Sequence, residues 1–169
     1  VTGVQTCALP ICGAVSCIGA SPTIRNCRIT NNTATGANDG YGGGIYCRDA
    51  SPVISDCEIL NNDYGSGIYC IRSSPKISDC KFLGNNTSMN GGGIRCDFSS
   101  PMIANTIFAG NTAESNGGAI YCQSASPTII NSVFTQNSAK YGGAIAGLIY
   151  SMPSIVNCTI TMNTAITSG

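Results

Sequence analysis

The sequence predicts an all-β fold, a right-handed parallel β-helix solenoid of about six coils with about 26 residues in each coil. Three observations support this prediction. The chain repeats a Ser-Pro step at a nearly constant spacing, each repeat contains short apolar segments of period two, and glycine and asparagine separate those segments. The chain has only four leucines and no apolar stripe at helical spacing, which disfavours a helical fold.

The Ser-Pro step occurs five times, and a Met-Pro step takes the sixth position. Successive prolines are 30, 23, 26, 26 and 26 residues apart. Proline lacks an N–H donor and has a fixed φ, so it suits the start of a strand after a corner. The length differences fall in the Gly-rich part of the repeat, as expected for loops. The prolines are Pro22, Pro52, Pro75, Pro101, Pro127 and Pro153.

Three columns of apolar or small residues follow these prolines, and stacking would bury them inside the solenoid because no single repeat can bury its own apolar face. The first column is isoleucine: Ile24, Ile54, Ile77, Ile103, Ile129 and Ile155. The second is small: Cys27, Cys57, Cys80, Thr106, Ser132 and Cys158. The third is large: Ile29, Ile59, Phe82, Phe108, Phe134 and Ile160.

An asparagine closes the same part of every repeat. A buried side-chain amide can bond both to a turn and to the equivalent amide one coil away. A catalytic residue is needed once rather than in every coil, so the column predicts a structural ladder. Its members are Asn32, Asn62, Asn85, Asn111, Asn137 and Asn163.

A second strand signal, Gly-Ile-Tyr-Cys or a variant of it, precedes each Ser-Pro step. Period-two alternation directs its isoleucine and cysteine inward and the residue between them outward. Exposed aromatic residues can stack against sugar rings, and arginine can lie against the tyrosines. Ordinary cross-strand pairing is the simpler interpretation. The outward column, a candidate glycan-binding surface, is Tyr46, Tyr69, Arg95 and Tyr121.

Acidic residues give weak catalytic candidates. Asp56 and Asp79 precede the small column in neighbouring repeats, so they lie about one coil rise apart, a separation compatible with retaining glycoside hydrolysis. Asparagine occupies the same position in the other repeats, which favours a corner with positive φ instead. Asp39, within the expanded turn 36–40, is a conceivable calcium ligand, and no other cofactor is expected.

Cysteines are frequent, with Cys7 in the leading segment and ten more in the rest of the chain. The pairs 17 and 27, 47 and 57, and 70 and 80 are spaced as disulfides in a secreted protein could be. In later repeats the second partner is threonine or serine, which favours a stack of small buried side chains. The chain has no histidine and no Cys-x-x-Cys pair, so no zinc site is expected.

The net charge of the chain limits the kinds of molecule that it is expected to bind. The chain has 8 basic and 8 acidic residues and a formal net charge of zero, which excludes the basic footprint of a nucleic-acid binder. No apolar run is long enough to predict a membrane span. The expected partners are a polysaccharide or cell-surface glycan and flanking coils of the same protein.

The leading segment of the chain differs from the repeats that follow it. Residues 1–11 resemble a translated sequencing adapter and do not fit the repeat, so residues 1–12 are expected to be a non-native leader. Residues 13–169 are then a single β-helix fragment, which we expect to be truncated at both ends.

The spacing Ile-x-x-Cys-x-Ile-x-x-Asn also fits the strand half of a leucine-rich repeat, and this solenoid is the alternative fold. The Phe-x-x-Asn segments at 108–111 and 134–137 and the Gly-Gly-Ala-Ile segments at 117–120 and 142–145 favour another family. They resemble polymorphic outer membrane protein repeats, within the pectin-lyase-like class of right-handed parallel β-helix proteins.

This resemblance implies an extracellular or outer-membrane-displayed protein, in which the chain is a non-catalytic adhesin or stalk segment. The alternative is a fragment of a polysaccharide lyase or glycoside hydrolase. Enzymes of the pectin-lyase-like class place acidic residues on an outer face, and only Asp56 and Asp79 approach that pattern.

Overall fold

The computed structural model describes residues 13–34 and 42–167. Within these ranges every regular element is a β-strand, and no helix is long and apolar enough to cross a membrane. The leader at 1–12, the turn that contains Asp39 and the last two residues lie outside the described residues.

The strands form four parallel sheets, and each coil contributes one strand to each of the first three. Sheet 1 contains β1 (Val15–Ile18), β4 (Ile45–Arg48), β7 (Ile68–Ile71), β11 (Ile94–Asp97), β15 (Ile120–Gln123) and β19 (Ile145–Leu148). Sheet 2 contains β2 (Thr23–Arg25), β5 (Val53–Ser55), β8 (Lys76–Ser78), β12 (Met102–Ala104), β16 (Thr128–Ile130) and β20 (Ser154–Val156). Sheet 3 contains β3 (Arg28–Thr30), β6 (Glu58–Leu60), β9 (Lys81–Leu83), β13 (Ile107–Ala109), β17 (Val133–Thr135) and β21 (Thr159–Thr161). Sheet 4 contains β10 (Asn86–Thr87), β14 (Thr112–Asn116), β18 (Ser138–Tyr141) and β22 (Thr164–Ala165).

Neighbouring strands in each sheet come from successive coils and pair in register. In sheet 1, for example, Cys47 is opposite Cys17 on one side and Cys70 on the other. The sequence prediction of a right-handed parallel β-solenoid with six coils about 26 residues apart is confirmed. The leucine-rich-repeat alternative is wrong, because the isoleucine, cysteine and asparagine spacing belongs to two β-strands that meet at a corner.

Corners between the sheets use residues with positive φ. At the corner between sheets 2 and 3, six stacked residues have φ between 51° and 56°. Asparagine and aspartate tolerate this conformation better than other residues with a Cβ atom, which explains their use there. The six residues are Asn26, Asp56, Asp79, Asn105, Asn131 and Asn157.

The apolar core fills the space enclosed by the coils. Ile54, Ile77 and Ile103 expose at most 1% of their surface, and the phenylalanines stack along the axis with ring centroids 4.7–4.8 Å apart. In the last coil the same columns are open, since Ile155 and Ile160 are 42% and 49% exposed. Coil-on-coil contact, rather than contact within one coil, therefore buries the core.

The asparagines form a continuous ladder through the coils. From Asn62 to Asn163, each Oδ1 accepts the backbone N–H of the asparagine in the preceding coil at 3.0–3.1 Å and one of its Nδ2–H groups at 2.8–2.9 Å. The other Nδ2–H donates to a backbone carbonyl of the preceding coil at 2.9–3.1 Å. All donors of the buried amides are therefore satisfied.

Serine, cysteine and threonine side chains make further hydrogen bonds between coils and at the corners. In the Ser-Pro step, the Oγ of each serine accepts the backbone N–H of the equivalent residue one coil later, at 2.8–3.1 Å. At the next corner, the thiol of Cys57 and the hydroxyl of Thr106 each donate to the carbonyl two residues earlier. Cysteine, threonine and serine can replace one another in this column because each carries a side-chain donor that makes the same hydrogen bond.

Candidate functional site

The outer face of sheet 1 is the part of the described chain that gathers charged and aromatic residues most closely. We define it by the second and fourth positions of each strand, which alternate with the buried isoleucine and cysteine. The second positions are Ser16, Tyr46, Tyr69, Arg95, Tyr121 and Ala146. The fourth positions are Ile18, Arg48, Ile71, Asp97, Gln123 and Leu148.

The expected exposure of the tyrosines on this face is wrong. Tyr46, Tyr69 and Tyr121 expose only 1%, 6% and 4% of their surface. Tyr46 and Tyr69 form an apolar cluster of their own, separate from the main core, with ring centroids 5.6 Å apart. Strand alternation fixes the direction of a side chain and not its accessibility, so an outward tyrosine can still be buried.

A buried ionic cluster occupies the centre of this face. Arg95 contacts Oδ2 of Asp97 through Nε at 3.0 Å and Nη2 at 2.8 Å, and its guanidinium lies 4.7 Å from the ring centroid of Tyr69. The hydroxyl of Tyr69 donates to the same oxygen at 2.7 Å. The two charged side chains are 14% and 7% exposed. Three donors therefore converge on one carboxylate oxygen.

Other atoms of the same cluster have no partner. Asp97 Oδ1 and Arg95 Nη1 are buried without a hydrogen bond. An ionised carboxylate can accept about four hydrogen bonds, so Oδ1 retains unused capacity. On the next strand the Tyr121 hydroxyl donates to Gln123 at 3.1 Å. The cluster thus contains one buried acceptor and one buried donor without a hydrogen bond.

Burial shifts the ionisation of the side chains on this face. Burial, reinforced by the hydrogen bond to Asp97, raises the pKa of Tyr69 above its ordinary value. Burial also raises the pKa of Tyr121. For Arg95, burial lowers the pKa, but hydrogen bonding to Asp97 outweighs it and the net shift is upward. Both tyrosines are therefore neutral at physiological pH, and they act as hydrogen-bond donors.

A second charged group lies at the corner that follows sheet 1. The Arg72 guanidinium contacts both carboxylate oxygens of Asp49, at 2.7 and 3.0 Å, and Arg48 lies 4.0 Å from the same carboxylate. The hydrogen bond from Arg72 lowers the pKa of Asp49. All three side chains are about half exposed, so this group resembles ordinary surface ion pairs.

The two weak catalytic candidates lie elsewhere, at the corner between sheets 2 and 3. Asp56 accepts a hydrogen bond from Arg25 Nε at 3.1 Å, and Asp79 accepts one from Asn105 Nδ2 at 3.1 Å. Each carboxylate therefore has a different partner from a neighbouring coil. Their φ values of 54° and 56° match those of the asparagines in the same column. The geometry fits the corner interpretation, and it does not bring these residues to the outer face of sheet 1.

The nine described cysteines are unpaired thiols. Cys17, Cys47, Cys70, Cys96 and Cys122 stack in register inside sheet 1. A hydrogen bond with Cys122, together with burial, raises the pKa of Cys96 well above its ordinary value, and burial raises the pKa of Cys80 to about 12. Within the described ranges no three histidine, cysteine or acidic residues could hold a metal ion. The five stacked cysteines of sheet 1 are buried and act as small core side chains.

Sequence reasoning missed Asp97 and Gln123. The available signal was the period-two spacing of Arg95 and Asp97, which places two opposite charges on one face of a single strand. The repeated Gly-Ile-Tyr-Cys unit ends at the cysteine, one residue before Asp97 and Gln123 in their strands. The ligand candidates Tyr69 and Arg95 are in direct contact, Tyr46 packs on Tyr69, and Tyr121 lies beside Arg95 on the neighbouring strand.

Comparison with known proteins places this geometry in a family. Residues 131–148 match the Chlamydia polymorphic membrane protein repeat. No curated protein and no solved structure matches the chain. The polymorphic membrane protein repeat indicates a protein of the outer membrane or cell surface. Residues 12–134 match the family model of the right handed beta helix region, which covers more than half of the chain, and the chain belongs to that family.

Proposed function

We propose that this chain is a non-catalytic, rigid stalk segment of a surface-displayed β-helix protein of the adhesin type. The observation that carries the proposal is the asparagine ladder, which runs without a break from Asn32 to Asn163. A buried polar network whose members are all satisfied makes a structure rigid and specifies one arrangement. Because every coil repeats the same contacts, the chain is suited to act as a rigid spacer.

The arrangement of the acidic residues supports the same function. A glycoside hydrolase needs two carboxylates that face one substrate bond. Asp56 and Asp79 each bond to a different neighbour and share a turn position with four asparagines. A fragment of a polysaccharide lyase or hydrolase is the rival function, and these two residues are its catalytic candidates within the described residues.

An activity assay with a matched variant distinguishes the two functions. The purified chain is incubated with neutral and acidic polysaccharides, and reducing ends and unsaturated products are measured. We expect the parent to release no more product than the double variant Asp56→Asn, Asp79→Asn. Product release that the double variant loses would contradict the stalk function and support the enzyme.

Surface display is tested separately. Antibodies raised against the purified chain should label intact, unpermeabilised cells of the organism that carries the gene. Labelling that appears only after permeabilisation would contradict display.

A further inference from the structure

Four asparagines of the described residues begin an Asn-x-Ser or Asn-x-Thr tripeptide, the acceptor motif for N-linked sugars. Two of these motifs overlap in the segment Asn-Asn-Thr-Ser at 85–88. The four asparagines are Asn31, Asn85, Asn86 and Asn157, and the hydroxyl residues of their motifs are Thr33, Thr87, Ser88 and Thr159. The structure separates these motifs by burial and by the hydrogen bonds of each amide.

The motif of Asn85 is closed. Asn85 is completely buried, and Thr87 is 1% exposed. Both Nδ2–H groups of Asn85 are used in the ladder, since one donates to Asn111 Oδ1 and the other to the Ile59 carbonyl, each at 2.9 Å. A sugar on Nδ2 would replace one of these hydrogens and leave a buried acceptor without its donor, which is costly. Asn85 is therefore not an acceptor in the folded chain.

The motif of Asn86, one residue later, is open. Asn86 and Ser88 are both exposed. The Asn86 amide donates one hydrogen bond, to Asp63 Oδ1 at 2.9 Å. An amide nitrogen that carries a sugar keeps one of its two hydrogens, so this bond is compatible with modification. Two adjacent asparagines thus differ completely in their availability.

The remaining two motifs lie at corners of the coil. Asn31 and Asn157 have φ values of 57° and 52°, and both are exposed, as are Thr33 and Thr159. The equivalent corner residues of inner coils, such as Asn61 and Asn131, are also exposed. The exposure of these asparagines therefore comes from the corner itself and not from the coil in which each one lies.

We propose that Asn31, Asn86 and Asn157 accept N-linked sugars on the folded chain and that Asn85 does not. The partner is an asparagine glycosyltransferase, and its co-substrate is a sugar activated at C1 by a diphosphate that is carried on a nucleoside or on a lipid. The bond from C1 to the diphosphate oxygen breaks as the bond from C1 to Nδ2 forms. The diphosphate leaves with its carrier, and one Nδ2 proton passes to a base of the transferase.

The three acceptors lie on one side of the solenoid. Asn31 follows β3 of sheet 3, Asn86 begins β10 of sheet 4, and Asn157 lies at the corner that precedes β21 of sheet 3. The outer face of sheet 1 carries none of them. A sugar at these positions projects from the solenoid without disturbing the ladder or the buried Arg95–Asp97 pair.

The distribution of charge indicates what the sugars contribute. Only 9% of the residues are charged, and none of them follows Lys140. In that uncharged stretch the side chains of Met152, Met162 and Ile166 are 80%, 74% and 71% exposed. An N-linked sugar is bulky and strongly hydrated, so a sugar on Asn157 supplies the hydration that charged side chains supply on the other coils.

The test begins with the full chain, produced folded in a host that has no asparagine glycosyltransferase. It is incubated with extracts of the organism that carries the gene. One arm combines the soluble fraction with UDP-glucose and UDP-N-acetylglucosamine, and the other uses washed membranes with their own lipid-linked sugars. Mass spectrometry of proteolytic peptides locates the transferred sugar. We expect transfer to Asn31, Asn86 and Asn157, and the active arm identifies the carrier.

Matched variants of the overlapping motifs separate the two adjacent asparagines. Ser88→Ala removes only the motif of Asn86, so transfer to the segment 85–88 should be lost. Thr87→Val removes only the motif of Asn85, so transfer should continue as in the parent. Circular dichroism shows whether each variant folds, and fragmentation of the parent peptide assigns the sugar to Asn85 or Asn86 without any substitution.

A synthetic peptide of residues 80–92 with Ser88→Ala tests the physical reason. The peptide has no ladder, so both Nδ2–H groups of Asn85 are free and this residue should accept the sugar. Absence of transfer to the peptide would mean that burial in the ladder does not protect Asn85.

Two outcomes with the full chain would overturn the inference. They are the absence of transfer in both arms and transfer to Asn85 in the folded chain. The inference goes beyond the stalk function, and neither outcome bears on that function, which fails instead on product release in the activity assay. The two proposals can therefore fail independently.

Discussion

The outer faces of sheet 1 and sheet 3 carry similar charges in different surroundings. On sheet 3 the side chains of Arg28, Glu58 and Lys81 are 67%, 41% and 52% exposed, and their ion pairs are 3.7 and 3.2 Å long. On sheet 1 the Arg95–Asp97 pair is almost completely buried. Both faces follow the same alternation along the same solenoid. The comparison indicates that two outward charges on one solenoid can differ in exposure although they have the same direction.

The ion pairs on the two faces differ physically because only the pair on sheet 1 is desolvated. An exposed ion pair gains little because water screens it and because two long side chains lose freedom. A buried pair has lost its hydration, so each charge depends on the other and on every nearby donor. On sheet 1, Tyr69 and Arg95 accordingly both donate hydrogen bonds to one oxygen of the buried Asp97 carboxylate.

The largest expected difference between the two faces comes from removing one cation from each. Arg95→Met leaves the Asp97 carboxylate buried without its partner, which should lower the free energy of unfolding by about 3–5 kcal/mol. Lys81→Met removes an exposed partner of Glu58 and should change it by about 1 kcal/mol or less. Chemical unfolding of both variants measures the difference, and equal losses would contradict the contrast between the faces.

A smaller loss is expected from the hydroxyl that supports this pair. Tyr69→Phe removes a hydrogen bond to a charged acceptor, which should lower the free energy of unfolding by about 1.5–3 kcal/mol. Tyr141→Phe is the matched control, because Tyr141 is exposed. Thermal unfolding of the two variants should separate them clearly. An equal effect at both positions would mean that the Tyr69 hydroxyl does not stabilise the cluster.

Alkaline pH tests the inner face of sheet 1. The pKa of Cys96 is raised well above 9.0 in the folded chain, so its thiol binds a proton more tightly folded than unfolded. Its stabilisation is complete below pH 9 and is lost as pH rises above that value. Relative to Cys96→Ala, the parent should lose about 1.4 kcal/mol more per pH unit above 9. Unfolding under reducing conditions between pH 8 and pH 10.5 measures this, and parallel curves would contradict it.

The smallest expected effect is at the exposed corner that follows sheet 1. Arg72 lowers the pKa of Asp49, so the pair stabilises the chain above the ordinary aspartate pKa of 3.8 and the benefit disappears as pH falls through the lowered value. Arg72→Gln should raise the pKa of Asp49 toward 3.8. Side-chain NMR titration detects the change, and it should diminish in high salt. An unchanged titration would show that the pair does not persist in solution.

Much of the fold could be predicted because the spacing of the repeat shows which residues occupy equivalent positions in successive coils. The isoleucine, phenylalanine and asparagine columns are visible as spacings, and each column occupies one position in the coil. The partners within a column also follow, since in-register stacking places like residues opposite each other. The role of the Ser-Pro serines was not evident, because the hydropathy pattern does not show that an Oγ accepts an N–H from the next coil.

The site was less predictable because its chemistry depends on burial. Tyr46, Tyr69, Arg95 and Tyr121 were assigned to the correct face, but no periodicity indicates that the tyrosines there are covered. Asp97 was missed because it lies outside the repeated Gly-Ile-Tyr-Cys unit and because isoleucine and glutamine occupy its position in neighbouring coils. A residue such as Asp97, which differs from the other members of its column, can be recognised only after the column itself has been identified.

The central claim is that side-chain amides, as well as strands, join the coils into one rigid unit. It is tested most directly by hydrogen exchange at the backbone N–H groups of Asn62, Asn85 and Asn111, each of which donates to the asparagine Oδ1 of the next coil. The account predicts that these three amides exchange as slowly as the strand amides of sheet 1. Exchange at the rate of exposed turns would contradict it, because the ladder would then be open in solution.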